Sequence, residues 1–352
     1  MDLLTPLLAD PPDVSVIGDE PAWLNVKRNA GDYGVLAIVA NAVRPHVSLQ
    51  ERAWCDRILT QSWAHHEGML RQLDFVIAAL GERRIPAISL KGPLLAQRYY
   101  EPPYLRKSAT DLDIAVAENN LAAACDALIR IGYELEFPIA EVLAVSHHVT
   151  LRHSFRPRVE LHFRLSHQKQ GIRVEEFFER VEHRFLPSGL EVMVLGAADQ
   201  LLHLILHLGH SRFGTLFNLY EVRRAFRAEP PDVRTEAIAR AVGHHFCGTL
   251  RMTEIAMRTR FGEPFLPSDI PVPATWLNWR IDERLYYGFE RWSVQHGDLT
   301  PGARLWGRWL EFQLTDRPVE AIRSLTLLAG TARFQLRVRK GSCSQNSGNR
   351  VG

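Results

Sequence analysis

An α+β fold, with a small mixed β-sheet set between helical segments, is what this 352-residue sequence predicts. Two observations carry the expectation. Apolar residues at helical spacing dominate both flanks, while short period-two stretches cluster between them. No internal repeat is present, and strands and helices do not alternate regularly along the whole chain.

The elements follow in order. Residues 21–80 read as helical, and "WCDRILTQSWAHHEGMLRQLDFVIAALG" ends at Gly81, a natural C-cap residue. "IPAISL" is a short β-like run, and Lys91-Gly92-Pro93 then forms a turn into a helix over "LLAQRYY". "SATDLDIAVA" alternates, with Leu112, Ile114 and Val116 on one face and Asp111, Asp113 and Ala115 on the other. "ENNLAAACDALIRIGYE" reads as a helix with Asn119 or Asn120 as N-cap and Gly132 at its end. "HVTLRHS" and "RVELHFRL" flank Phe155-Arg156-Pro157 and predict a hairpin. Val159, Leu161, Phe163 and Leu165 share one face of its second strand, and Glu160, His162 and Arg164 share the other.

The most apolar window, "VMVLGAADQLLHLILHLG", holds Asp199, Gln200 and two histidines, so it reads as a core helix and not a membrane span. Beyond Ala197 the pattern stays helical. A Pro-rich connection, "GEPFLPSDIPVPAT", leads to a Trp-rich helical region, and "RKGSCSQNSGNRVG" reads as a disordered tail. The expected segments are 1–80, 81–196, 197–262, 263–338 and 339–352.

Composition narrows the function classes. Hydrophobic content of 46%, charged content of 23% and a net charge of +2 describe an ordinary globular chain and argue against a nucleic-acid-coating surface. Cys55, Cys125, Cys247 and Cys343 are far apart and make no C-x-x-C, which points away from a zinc knuckle or disulfide scaffold. "MDLLTPLLADPPD" lacks the basic start of a signal peptide, and a cytoplasmic location is expected.

Asp111 and Asp113 pose the chemical question. Two carboxylates side by side on a strand fit for burial are costly unless a cation joins them. If the Glu160 strand is a neighbour in the same sheet, three carboxylates converge, a set that suits hard divalent ions such as Mg²⁺ or Mn²⁺. Gly92 would let backbone approach a ligand, a strand–Gly–helix junction suits phosphate, and Lys91 and Arg106 would add positive charge.

Each feature has a plainer alternative. Asp-x-Asp alone is often a solvent-facing strand, and Glu160 could pair with Arg152 or Arg158. His162 could support the site or be a hydrogen-bonded structural histidine. His203, His207 and His210 share one helix face and invite a zinc reading, but leucines surround them and no H-E-x-x-H is present. The tryptophans could stack bases, although their near-helical spacing favours packing. P-loop and G-x-G-x-x-G motifs are absent.

The ordered set Leu90-Lys91-Gly92, Tyr99-Tyr100, Pro102, Arg106, Asp111-x-Asp113, Ile131-Gly132-Tyr133, "VELHF" and "LLHLILHLGH" resembles the uncharacterised bacterial nucleotidyltransferases. These belong to the DNA polymerase β-like nucleotidyltransferase superfamily. The resemblance spans roughly residues 80 to 226. It implies a nucleotidyltransferase core in which Gly92 receives a nucleoside triphosphate such as ATP, with Lys91 and Arg106 nearby. Asp111 and Asp113 would bind Mg²⁺ or Mn²⁺, and Glu160 would be the third, catalytic carboxylate. Pro93 departs from the superfamily's usual Gly or Ser after the first glycine. The implied activity moves a nucleoside monophosphate to an unidentified small-molecule or protein acceptor and releases pyrophosphate. A non-catalytic nucleotide-binding or scaffolding protein of the same fold is the alternative, and a nucleic-acid-modifying enzyme is disfavoured by the charge.

Overall fold

The computed structural model describes residues 3–165, 172–211, 213, 215–267, 271–273, 282–288, 314 and 316. Most of the expected C-terminal helical region, including most of its Trp-rich stretch, and the whole tail lie outside them. The fold is α+β.

A helical layer opens the chain: α1 (Leu4–Leu7), α2 (Glu20–Asp32), α3 (Leu36–Val43) and the long α4 (Leu49–Glu82). Ser48 caps α4 by accepting a hydrogen bond from the Glu51 N–H at 3.3 Å. The other end differs from expectation. Gly81 lies inside the last turn, and Arg84 instead takes the left-handed conformation at φ 54°. The N–H groups of Ile85 and Arg84 reach back to the Leu80 and Gly81 carbonyls, and buried Ile85 anchors the turn. The apolar contact made by Ile85 fixes the stop, outweighing the glycine preference.

The sheet follows as β1 (Ile88–Ser89), α5 (Pro93–Tyr99), β2 (Asp111–Ala115), α6 (Leu121–Arg130), β3 (Glu134–Leu135), α7 (Ile139–Val145), β4 (His148–Arg152) and β5 (Arg158–His162). Asn120 begins α6 without a side-chain cap bond, while Gly132, at φ 96°, closes it as expected. A further hairpin, β6 (Val181–Phe185) and β7 (Glu191–Leu195), precedes α8 (Ala197–His210), α9 (Leu216–Ala228), α10 (Pro231–Gly243) and α11 (Cys247–Phe261).

The apolar window expected as one helix is therefore a strand and then a helix. Gly196 makes the break, because a Cβ there would meet the Arg180 carbonyl oxygen at 2.5 Å. The β-branched "VMVL" side of the break pairs with β6 and β1. Periodicity alone cannot separate a buried strand from a buried helix.

The seven strands run β3-β4-β5-β2-β1-β7-β6. The pairs β2–β5 and β1–β7 are parallel and the others antiparallel, so the sheet is mixed as expected. One sheet face is apolar: Leu112, Ile114, Val159 and Leu161 pack with α4 and α6 residues such as Leu73, Val76 and Leu128. The opposite face carries Asp111, Asp113, Glu160 and His162, and side chains of α8 and α9 close over it. Leu165 leaves the predicted face, because β5 ends at His162 and Leu165 turns to the α8 side. Among the described residues no helix is long and apolar enough to cross a membrane.

Candidate active site

Parallel pairing of β2 with β5 sets Asp113 opposite Glu160, Ala115 opposite His162, and Asp111 opposite Arg158. Alternation sends Asp111, Asp113, Glu160 and His162 to one face. They line an open cavity of about 380 Å³, together with Lys91, Gly92 and Arg106. All six residues singled out from the sequence therefore border one space.

One cation and one imidazole answer the question posed by the paired aspartates. Lys91 Nζ lies 3.1 Å from Asp113 Oδ2, and His162 Nε2 lies 2.9 Å from Asp113 Oδ1. Burial alone would raise the Asp113 pKa, but Lys91 and the His162 hydrogen bond outweigh it and hold the carboxyl well below the ordinary range. Its neighbours respond oppositely. Burial, and then the Asp113 charge, raise the pKa of both Asp111 and Glu160. Asp113 is thus the fixed anion of the cluster, while the other two carboxylates are short of positive charge.

Asp113, Glu160 and His162 each offer a ligand atom within 4.8 Å of the others. Asp111 belongs to no such group among the described residues. It lies at the start of β2, half-buried, and lines the same cavity.

Gly92 sits between β1 and α5 at φ 77° and ψ −142°, a combination open essentially only to glycine. The space where its Cβ would stand is empty. The backbone conformation therefore requires this glycine even without a ligand. Arg106 borders the cavity, but its guanidinium makes a two-pronged contact with buried Glu221 of α9, at 2.5 and 3.2 Å. Burial disfavours its charge, and Glu221 more than restores it. Arg106 thereby ties the segment leading into β2 to the helical layer.

Several cavity residues escaped the sequence reading. His147 and His148 join His162 in a second close group. The signal was the hairpin register, which sets His148 directly across from His162. Glu221 carried no signal, because its partner lies 115 positions away. The α8 histidines do line the cavity, yet they form no metal-holding group among the described residues. His207 Nδ1 lies 3.4 Å from Lys91 Nζ, in place to accept from the ammonium. Burial, and then Lys91, depress the pKa values of His207 and His203, the latter down to about 3.

No curated protein matches the chain. Among solved structures, the antibiotic-resistance factor ANT(2'')-Ia is similar at 10% identity, over 50% of this chain and 95% of that chain, with a TM-score of 0.37. That likeness is too slight to build on. Residues 23–255, well over half of the chain, match the family described as uncharacterised nucleotidyltransferase. The chain belongs to that nucleotidyltransferase family.

Proposed function

We propose that this nucleotidyltransferase is metal-dependent, moves a nucleoside monophosphate from a nucleoside triphosphate to an acceptor other than nucleic acid, and releases pyrophosphate. The observation that carries the proposal is the in-register convergence of Asp113 and Glu160, with Asp111 beside them, on one cavity with Lys91 and Gly92. A bound Mg²⁺ or Mn²⁺ ion would supply positive charge to the triphosphate and to the oxygen being displaced.

The donor set fits such an ion. Two carboxylates with raised pKa values surround one that already needs Lys91 and His162 to stay ionised, so the cluster lacks positive charge. Asp113, Glu160 and Asp111 would hold the ion through oxygen, the donor type Mg²⁺ prefers. The Lys91 ammonium and the open turn at Gly92 suit the triphosphate tail. Glu160 Oε2, with its raised pKa, suits accepting a proton from the acceptor hydroxyl. The Arg106–Glu221 pair keeps the cavity wall in place. Positioning and electrostatics carry most of the rate in phosphoryl-type transfer, so this inventory is sufficient.

The test uses triphosphates labelled at the α-phosphate, incubated with the purified protein, Mg²⁺ or Mn²⁺ and a cell lysate as acceptor source. Label attached to lysate material with matching pyrophosphate release is expected, and loss of both in Asp111→Asn/Asp113→Asn. Triphosphate binding without pyrophosphate release from any of the four nucleotides would instead identify a nucleotide-binding scaffold.

A further inference from the structure

The cavity holds a second donor set of different chemistry. His147, His148 and His162 present ring nitrogens within 4.8 Å of one another. Their ring centroids are 4.5, 5.2 and 5.0 Å apart, so the three imidazoles form a compact triangle. The backbone fixes this arrangement. His148 opens β4 opposite His162, and the His147 carbonyl accepts from the N–H groups of Phe163 and Arg164 at 3.0 and 3.3 Å. Those bonds clamp the bend before β4, where adjacent histidines can both turn towards the cavity. His147 and His162 are buried, and the His148 side chain is 21% exposed.

The spacing suits a small tetrahedral ion. Metal–nitrogen bonds of about 2.0–2.1 Å give a tetrahedral nitrogen–nitrogen edge of about 3.3 Å. His147 Nε2 and His148 Nδ1 are 3.3 Å apart. Two of the rings also have carboxylates beside them, and Glu160 Oε2 is 3.7 Å from His162 Nε2 as well. Asp113 Oδ1 lies 2.9 Å from His162 Nε2, and Glu160 Oε2 lies 3.7 Å from His148 Nε2. The Asp113 hydrogen bond orients the His162 ring, as carboxylate partners of ligating imidazoles do. Three imidazoles select a borderline transition ion, whereas Mg²⁺ seeks oxygen.

We infer that His147, His148 and His162 form a nitrogen-rich site for a divalent ion of the zinc class, beside the carboxylate cluster and sharing His162 with it. This site binds through nitrogen where the Mg²⁺ site of the proposed function binds through oxygen, and it does not require nucleotidyl transfer to occur.

Cobalt(II) reports on such a site directly, because its visible ligand-field absorption intensifies in tetrahedral nitrogen coordination. The full chain, stripped of metal, is titrated with Co²⁺ in excess Mg²⁺ and then with Zn²⁺. One equivalent of Co²⁺ giving an intense band, lost on adding Zn²⁺, is expected. The chain has 15 histidines, so His147→Gln/His148→Gln separates this site from adventitious binding. The double variant should bind at least ~100-fold more weakly, beyond what loss of an outer partner alone causes. His183→Gln, an exposed histidine on β6, should change nothing. Circular dichroism verifies the fold, and if the double variant unfolds, His148→Gln alone is measured against the same criterion. An absent band, or one that survives the substitutions, overturns the inference. Calorimetry with Mg²⁺ and a nonhydrolysable triphosphate, run in parallel, keeps the two ideas separate. Asp111→Asn should reduce that heat and leave the cobalt band.

Discussion

Glu160→Gln removes one charge from the cluster and keeps its shape. The ligand oxygens of Glu160 and Asp113 lie within 4.8 Å. Two unit charges at that separation repel by about 3.5 kcal/mol at an effective dielectric of ~20. His162 and Lys91 offset part of this, and Glu160 avoids more by keeping its proton, since burial and then Asp113 raise its pKa. Those offsets reduce what the substitution returns to the metal-free fold from this bare repulsion, which is about 3.5 kcal/mol at the outer limit of the separation and larger at closer approach. The pH dependence has a definite sign. Below the ordinary glutamate value of 4.5 the carboxyl is protonated whether the chain is folded or not, so wild type and variant differ little. As pH rises from there through the raised folded value, the unfolded chain gives up the proton first and the wild type loses stability. The advantage of the variant should therefore grow with pH and then level off. Thermal unfolding in a chelator across that range measures it, as a gain of a few degrees. Pyrophosphate release with Mg²⁺ should fall by ~100-fold or more, as when a key electrostatic group is lost. A variant no more stable at high pH, with turnover nearly intact, would refute the reasoning and leave Glu160 as a mere partner of His148 and His162.

Two further outcomes probe the cavity walls. Gly92→Ala should cost ~1–3 kcal/mol in chemical denaturation, although its Cβ meets nothing, because φ 77° with ψ −142° suits only glycine; an unchanged midpoint would show that the turn relaxes freely. Arg106→Ala should cost ~3–5 kcal/mol by stranding buried Glu221, and Arg106→Met/Glu221→Leu should recover most of it. A small stability loss with a large fall in triphosphate affinity would make Arg106 a phosphate ligand instead.

The sequence by itself determined the local elements and the residue types of the site. Alternation in "DLDIA" and "RVELH" paired Asp111 with Asp113 and Glu160 with His162 on one face of each strand, because strand geometry sets that without tertiary help; the parallel pairing of β2 with β5 then brought the two pairs together. Gly132 ended its helix as read, and the hairpin turn at 155–157 was legible from its residues. Where two elements had equal local claims, packing chose between them. "VMVL" became a strand because β1 and β6 were available to pair with it, and α4 outran Gly81 because Ile85 found a buried anchor. The partners of the charged groups were also decided only in three dimensions. Lys91 reaches Asp113 and His207, Arg106 reaches Glu221, and His148 meets His162 across the hairpin, 14 positions away. The histidine pair follows from the hairpin register, but the Lys91 and Arg106 contacts join residues that no local propensity or periodicity brings together. They are set by the order in which strands enter the sheet and by the helices that close over it, and with them the direction in which the pKa values of Asp111, Asp113 and Glu160 move.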